Sequence, residues 1–169
     1  RSPSRGLGDV YKRQFENIEK TGEIKVTKTT VGNINVSGIT FNLRGTSDSG
    51  RDIDIPAVTD ENGVAIFSEI PIGTYTIYED EKTVPTAYLV ADPQNVTVTY
   101  AETKEVPIEN KEKTGSITVH KTTEGQKNIE GIKFYLRGTS DSGRAIDIPA
   151  TTDKDGICLL YTSDAADDL

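Results

Sequence analysis

The amino-acid sequence predicts an all-β protein built from tandem β-sandwich domains, and two observations carry this prediction. The first is a repeat at an offset of 93 residues, since residues 15–65 and 108–158 are identical at 33 of 51 positions without a gap. This period exceeds the roughly 20–50 residues of solenoid units and suits a small autonomous domain. The second is that short segments of alternating polar and apolar residues lie between turn residues, which is typical of half-buried strands.

Taken in order along the first repeat, alternation predicts strands at 23–28, 39–43 and 95–100, with β-branched residues that suit a pleated surface. No segment shows a helical period over more than about two turns, so we expect about seven short strands per repeat. Gly, Asn and Asp tolerate the backbone conformations of tight turns. Turns are therefore expected at 45–50, 60–63 and 71–73.

The repeat also sets the expected domain boundaries. One complete domain is expected over 21–110 and a truncated second domain over 114–157, while 15–20 corresponds to the end of a preceding repeat. Residues 1–14 and 158–169 have no counterpart in the repeat and resemble translated sequencing-adapter read-through. We therefore expect both to be non-native or disordered tails outside the fold.

Side chains of a strand alternate between its two faces, so the same pattern predicts the core of the first domain. The residues expected inside are Ile24, Val26, Phe41, Leu43, Tyr75, Ile77, Val96, Val98 and Ile108.

Composition excludes several classes of function. The net charge of -8, without a basic cluster, argues against nucleic-acid and anionic-membrane partners, and no apolar run approaches the roughly 18 residues of a membrane span. The single histidine, His120, is out of phase with the apolar residues of its strand and is expected to face solvent. Asp60–Gly63 lacks the full calcium-loop pattern and is expected to be a turn. We expect no cofactor, no metal site and no enzymatic activity.

Three polar residues fall on faces that otherwise point into the core: Lys28, Glu79 and Asn110. The apolar residues in phase with them are Ile24 and Val26, Tyr75 and Ile77, and Val106 and Ile108. Burying a lysine or glutamate costs several kcal/mol unless the group is paired or neutralised. Phase alone leaves two interpretations open: the side chains reach water at the strand ends, or they form a buried Lys–Glu ion pair with the asparagine as partner.

The order of a strand with Lys28, the pattern Gly-x-Tyr-x-Ile-x-Glu at 73–79 and a closing strand ending in Asn110 resembles the Cna B-type, or SpaA-like, repeat domain of Gram-positive adhesins and pilins. Residues 38–43, 59–67 and 70–75 match the same family. Ile70 stands where the family more often has leucine, and the spacing from Glu79 to Pro85 is longer than usual. The resemblance covers 21–110 and 114–157, and it implies a prealbumin-like (Ig-like) β-sandwich.

In that family, the lysine and asparagine side chains condense into an intramolecular isopeptide bond. The resemblance therefore implies a Lys28–Asn110 cross-link assisted by Glu79, formed once per molecule. Lys121 and Asn17 occupy the equivalent positions of the flanking copies, and their partners lie outside the sequence. Desolvation would favour the neutral amine and neutral acid that such a reaction needs.

The resemblance further implies a structural stalk on the cell surface or cell wall of a Gram-positive bacterium. Its partners would be adjacent repeats of the same chain, and host extracellular matrix would be reached through a tip domain outside the sequence. The alternative is a module that binds host protein or carbohydrate through loops such as 45–50 and 80–88. A stalk predicts similar loops in every copy, and residues 43–51 and 136–144 are identical.

Overall fold

The structure, a computed structural model, describes residues 17–32, 35–125 and 128–162. The described part of the first repeat contains seven strands, in line with the sequence prediction, and one short 3-10 turn at Glu81–Thr83. The strands are β1 (Thr21–Thr30), β2 (Thr40–Ser47), β3 (Asp52–Val58), β4 (Val64–Pro71), β5 (Gly73–Glu79), β6 (Gln94–Val98) and β7 (Thr103–Asn110).

These strands form two sheets with the orders β4-β1-β7 and β3-β2-β5-β6. All neighbours are antiparallel except β1 and β7, which pair in parallel along all of β7 and from Glu23 to Thr30 of β1. The apolar faces of the two sheets form one core. All nine residues that alternation places inside are buried, so the all-β prediction and the predicted phase of these strands are confirmed.

The strand ends differ from the expectation in two places. The segment predicted as strand at 95–100 ends at Val98, because Ala101 has a left-handed backbone (φ 59°) and the chain turns at 100–101 before β7. β2 continues to Ser47, which confines the turn expected at 45–50 to 48–50. Of the preceding-repeat segment 15–20, the described residues 17–20 form no strand.

The second repeat contains β8 (Ser116–His120), β9 (Lys133–Thr139), β10 (Ala145–Thr151) and β11 (Ile157–Tyr161), paired as β8–β11 and β9–β10. The prediction that the fold ends at 157 is wrong. Cys158 and Leu160 lie on the same face of β11 and are buried. They pair with Val119 and Ile117 of β8. The expected tail 1–14 and residues 163–169 lie outside the described residues.

The second repeat buries less of its apolar surface than the first. Ile117 is 44% exposed, whereas the equivalent Ile24 is fully buried in the first repeat. The physical reason is that β1 lies between β4 and β7, whereas β8 pairs only with β11 among the described residues.

Candidate functional site

The three polar residues predicted to point inward are buried together in the first repeat. Lys28 lies near the end of β1, and Asn110 is the last residue of β7, where the parallel register pairs it with Thr30. Glu79 is the last residue of β5 in the facing sheet. The side chains of Lys28 and Glu79 are 0% and 1% exposed, and Asn110 is fully buried. The interpretation in which these groups reach water at the strand ends is therefore wrong.

One carboxylate oxygen connects the cluster. Glu79 Oε1 accepts a hydrogen bond from Asn110 Nδ2 at 3.1 Å and lies 3.7 Å from Lys28 Nζ. The other oxygen, Oε2, accepts from the backbone N–H of Ala91 at 2.7 Å. Phe41 stands opposite Glu79 in the β2–β5 register and is fully buried. The carboxylate is thus fixed in a dry environment, with the amine and the carboxamide beside the same oxygen.

Burial shifts the protonation equilibrium of Lys28 towards the neutral amine. Desolvation lowers the pKa of Lys28 below its ordinary value of 10.5, and the charge of Glu79 opposes this shift only in part. The amine donates to the backbone oxygens of Thr29 at 2.9 Å and Ile108 at 3.4 Å. A lysine whose pKa is lowered is a better nucleophile near neutral pH, because more of it carries a free electron pair.

The backbone of Lys28 is held by a turn that requires glycine. Its N–H donates to the oxygen of Gly63 at 2.7 Å. Gly63 has a φ of 75°, and a Cβ at this position would lie 2.6 Å from the Lys28 carbonyl oxygen. Any residue other than glycine would be strained there, and its Cβ would push β1 away. Gly63 is therefore a positioning residue for the lysine.

The carboxamide of Asn110 is incompletely bonded. Its Oδ1 is buried and has no hydrogen-bond partner among the described residues. A buried polar atom without a partner costs about 1–3 kcal/mol and requires an explanation. The same orientation directs Asn110 Nδ2 at the Glu79 carboxylate, which is placed to pass a proton to this nitrogen. The cluster can therefore supply a nucleophile, an electrophile and a proton carrier.

The equivalent residues of the flanking copies have no such surroundings in the described part of the chain. Lys121 Nζ donates to Thr122 O at 2.7 Å, which repeats the contact of Lys28 with Thr29, but no carboxylate is paired with it there. Asn17 is exposed and lies in no strand. His120 is exposed, as expected.

Sequence reasoning missed two groups that support the site. The Ala91 N–H belongs to a loop without periodicity, and a backbone donor leaves no signal in residue type. Gly63 was expected only as a turn residue, and its contact with Lys28 depends on how that turn packs against β1. The described residues contain no cluster of histidine, cysteine or acidic side chains that could hold a metal ion. Nor do they include a helix with the length and apolarity needed to cross a bilayer.

Comparison with known proteins places this site within a family domain. The family model described as SpaA, prealbumin-like fold domain, matches residues 22–112, a range that contains all three cluster residues. No curated protein sequence matches the chain.

Several solved structures are similar. The Bacillus anthracis TIE protein superimposes with a TM-score of 0.60 at 19% identity, over 84% of this chain and 26% of that one. BcpA, the major pilin subunit of Bacillus cereus, is 31% identical over 56% of this chain and 31% of its own length, with a TM-score of 0.44. The shaft pilin spaA from Lactobacillus rhamnosus GG is 14% identical, covers 83% and 82% of the two chains and has a TM-score of 0.43. The chain thus spans about a quarter of the TIE protein, and that likeness supports the fold alone.

Proposed function

The chain belongs to the SpaA family of prealbumin-like fold domains, and we propose that it is a structural stalk repeat of a Gram-positive surface adhesin or pilin, closed by an autocatalytic Lys28–Asn110 isopeptide bond. One observation carries the proposal: a single buried carboxylate oxygen of Glu79 contacts both the amine and the carboxamide. A buried ion pair alone is weak evidence for stability, since apolar residues of similar volume often serve as well. A reaction between the amine and the carboxamide explains why these three polar groups are buried together.

The proposed step balances as a condensation. The electron pair of neutral Lys28 Nζ attacks Asn110 Cγ, and a new C–N bond forms. The Cγ–Nδ2 bond breaks, and the nitrogen leaves as ammonia after receiving a proton. Glu79, which contacts both nitrogens, carries a proton from the attacking amine to the leaving group and ends in its starting state. Because Lys28 is consumed, each molecule reacts once, and the protein is not an enzyme in the sense of turnover.

The topology supports a mechanical role for this bond. β1 and β7 are parallel neighbours, so the entry of β1 at Thr21 and the exit of β7 at Asn110 lie at opposite ends of the strand pair. A pulling force then shears the pair along its length. With Lys28 joined to Asn110, the force passes from β1 directly to the end of β7. Residues 29–109 remain outside the load path, as suits a stalk that holds a distal binding part away from the cell wall.

The mass of the intact chain tests the bond. We expect the purified protein to weigh about 17 Da less than its sequence, because one ammonia is lost in forming the amide. Lys28→Met and Glu79→Gln should both restore the full mass. Two lysine variants serve as matched controls: Lys25→Met, on the exposed side of the same strand, and Lys121→Met, at the equivalent position of the second repeat. Both should keep the deficit.

Digestion locates the bond. A branched peptide that joins the fragments around Lys28 and Asn110 is expected from the unaltered protein and from both control variants. A folded protein with its full sequence mass, or a deficit that survives Lys28→Met, would contradict the cross-link.

A further inference from the structure

The segment between the two repeats is held by the first repeat. Leu89 N–H donates to Lys111 O at 2.9 Å, and Lys113 N–H donates to Ala87 O at 2.8 Å. Between these two bonds, Tyr88 and Glu112 form an antiparallel bridge. Residues 111–113, here called the linker, thus add a short strand-like pairing to the 87–89 loop. A linker that is hydrogen-bonded in this way is restrained at its first-repeat end.

The side chain of Glu112 fastens the linker to the second repeat. Its carboxylate accepts a hydrogen bond from Ser142 Oγ and another from Arg144 Nε at 2.9 Å. The hydrogen bond from Ser142, together with the nearby Arg144, holds the pKa of Glu112 below its usual range. The Glu112 side chain is only 10% exposed, so this pair is better shielded from water than an ordinary surface ion pair.

The first repeat also contacts the second repeat directly. Gly32, in the loop after β1, has a φ of 99°, and a Cβ there would lie 2.8 Å from Ser142 O. The adjoining Val31 carbonyl accepts a hydrogen bond from Tyr88 Oη, which ties this loop to the one that pairs with the linker. Ser142 is fully buried by these contacts. The close approach therefore depends on a residue without a side chain at position 32.

The other end of the first repeat provides an internal control. Glu19 is the equivalent of Glu112 and accepts the matching hydrogen bonds from Ser49 and Arg51. Ser49, unlike Ser142, is exposed, and Ile18 beside Glu19 is 91% exposed. At the far end, Gly125 is the equivalent of Gly32, and no atom of the described residues lies within 4 Å of a Cβ built on it. The hydrogen bonds to the glutamate thus form whether or not a neighbouring repeat is docked. Burial of the equivalent serine, in contrast, occurs only where a neighbouring repeat is docked.

We propose that consecutive repeats dock through a specific, stiff interface. In this interface Glu112 binds the linker to the second repeat, and Gly32 allows the first repeat to pack closely against Ser142. The partner of this surface is another copy of the same repeat. The face formed by Glu19, Ser49 and Arg51 offers the equivalent docking surface to a preceding copy. The biological role of the junction rests on the proposed stalk function, because a stiff junction keeps an array of repeats extended. The docking itself does not depend on the cross-link.

The width of an inter-repeat distance distribution tests this interface in the full chain. Spin labels are placed at Glu61→Cys and Lys154→Cys, two exposed turn positions that are equivalent in the two repeats, with Cys158→Ala to leave no other thiol. Pulsed electron–electron double resonance should give one narrow distance distribution between the two labels. Glu112→Ala and Gly32→Ala should each broaden this distribution.

Each variant has a matched control in the same chain. Glu19→Ala removes the same contact where no neighbour is docked, and Gly125→Ala places a methyl group at the same kind of left-handed position in open space. Both should keep the narrow distance. A broad distribution in the labelled parent, or an unchanged width in Glu112→Ala and Gly32→Ala, would overturn the proposal. Intact mass of every variant reports the cross-link separately, so failure of one proposal is distinguishable from failure of the other.

Discussion

Replacing Lys28 by methionine should change how the first repeat responds to pulling force. Methionine keeps an unbranched side chain in the core but removes the nucleophile, so force can then unfold the whole domain. The 90 residues from Thr21 to Asn110 extend to about 300–320 Å at 3.3–3.6 Å each. The folded distance between these ends is about 30 Å, because Asn110 pairs with Thr30 at the end of the ten-residue β1.

Unfolding of the first repeat in Lys28→Met should therefore lengthen the chain by roughly 280 Å. In the unaltered protein this event should be absent, since the bond leaves only the few residues before Lys28 free to extend. The assay is single-molecule stretching of the full chain between terminal handles. Extension of the second repeat is the same in both proteins and cancels in the comparison.

Lys25→Met is the matched control for this experiment. Lys25 lies on β1 three residues before Lys28 and bridges to Glu105 of β7 through an exposed ion pair at 3.1 Å, so it joins the same two strands without a covalent bond. We expect Lys25→Met to behave like the unaltered protein. If the unaltered protein has the cross-link by mass and still releases about 280 Å, our reasoning about the load path is wrong.

Three further predictions concern stability and dynamics. Lys28→Met should destabilise the first repeat by about 4–5 kcal/mol in denaturant unfolding, since the bond closes a loop of about 82 residues in the unfolded chain; a loss below about 1 kcal/mol would contradict that loop-entropy argument. In Asn110→Ala, Lys28 remains a free amine whose folded pKa is lowered from 10.5, so the unfolded chain binds more protons. The denaturation midpoint of this variant should rise as the pH increases towards 10.5, and the cross-linked protein, in which the Lys28 nitrogen is an amide, should lack that contribution. Amide hydrogen exchange should be faster in β8 than in β1, because Ile117 is 44% exposed where Ile24 is buried; equal protection of the two strands would show that our view of the second repeat is wrong.

Period-2 alternation was sufficient to predict the core and the inward direction of the three polar residues. Val26 and Lys28 share a face whatever the partner strands are, because the pleat alone sets this relation. Which strands meet is a different kind of information. Phase places Lys28 and Asn110 inside, but their proximity follows from the parallel pairing of β1 with β7, for which the sequence carried evidence only through the family resemblance.

Loops account for most of what the sequence did not predict. The 80–91 segment has no periodicity, so its two roles, donating the Ala91 N–H to Glu79 and pairing with the linker at 87–89, could not be foreseen. Residues 158–161 of the strand Ile157–Tyr161 were excluded because they cease to match the first repeat. Strand formation requires only alternation and a partner edge, and residues 157–161 have both, since their buried positions pair with β8.

The cross-link and the junction meet in three consecutive residues. Asn110 ends the strand that the proposed bond would join to Lys28, and Glu112, two residues later, contacts Ser142 and Arg144 of the next repeat. A pulling force would thus leave the first repeat and enter the junction without crossing a loop. Strength along the array and resistance to bending should nevertheless be separable, because they depend on different contacts. Glu112→Ala should broaden the inter-repeat distance while the first repeat still resists extension, and Lys28→Met should do the reverse. If either variant altered both properties, the two devices would have to be a single coupled structure, and the assignment of stiffness to the Glu112 contact would fail.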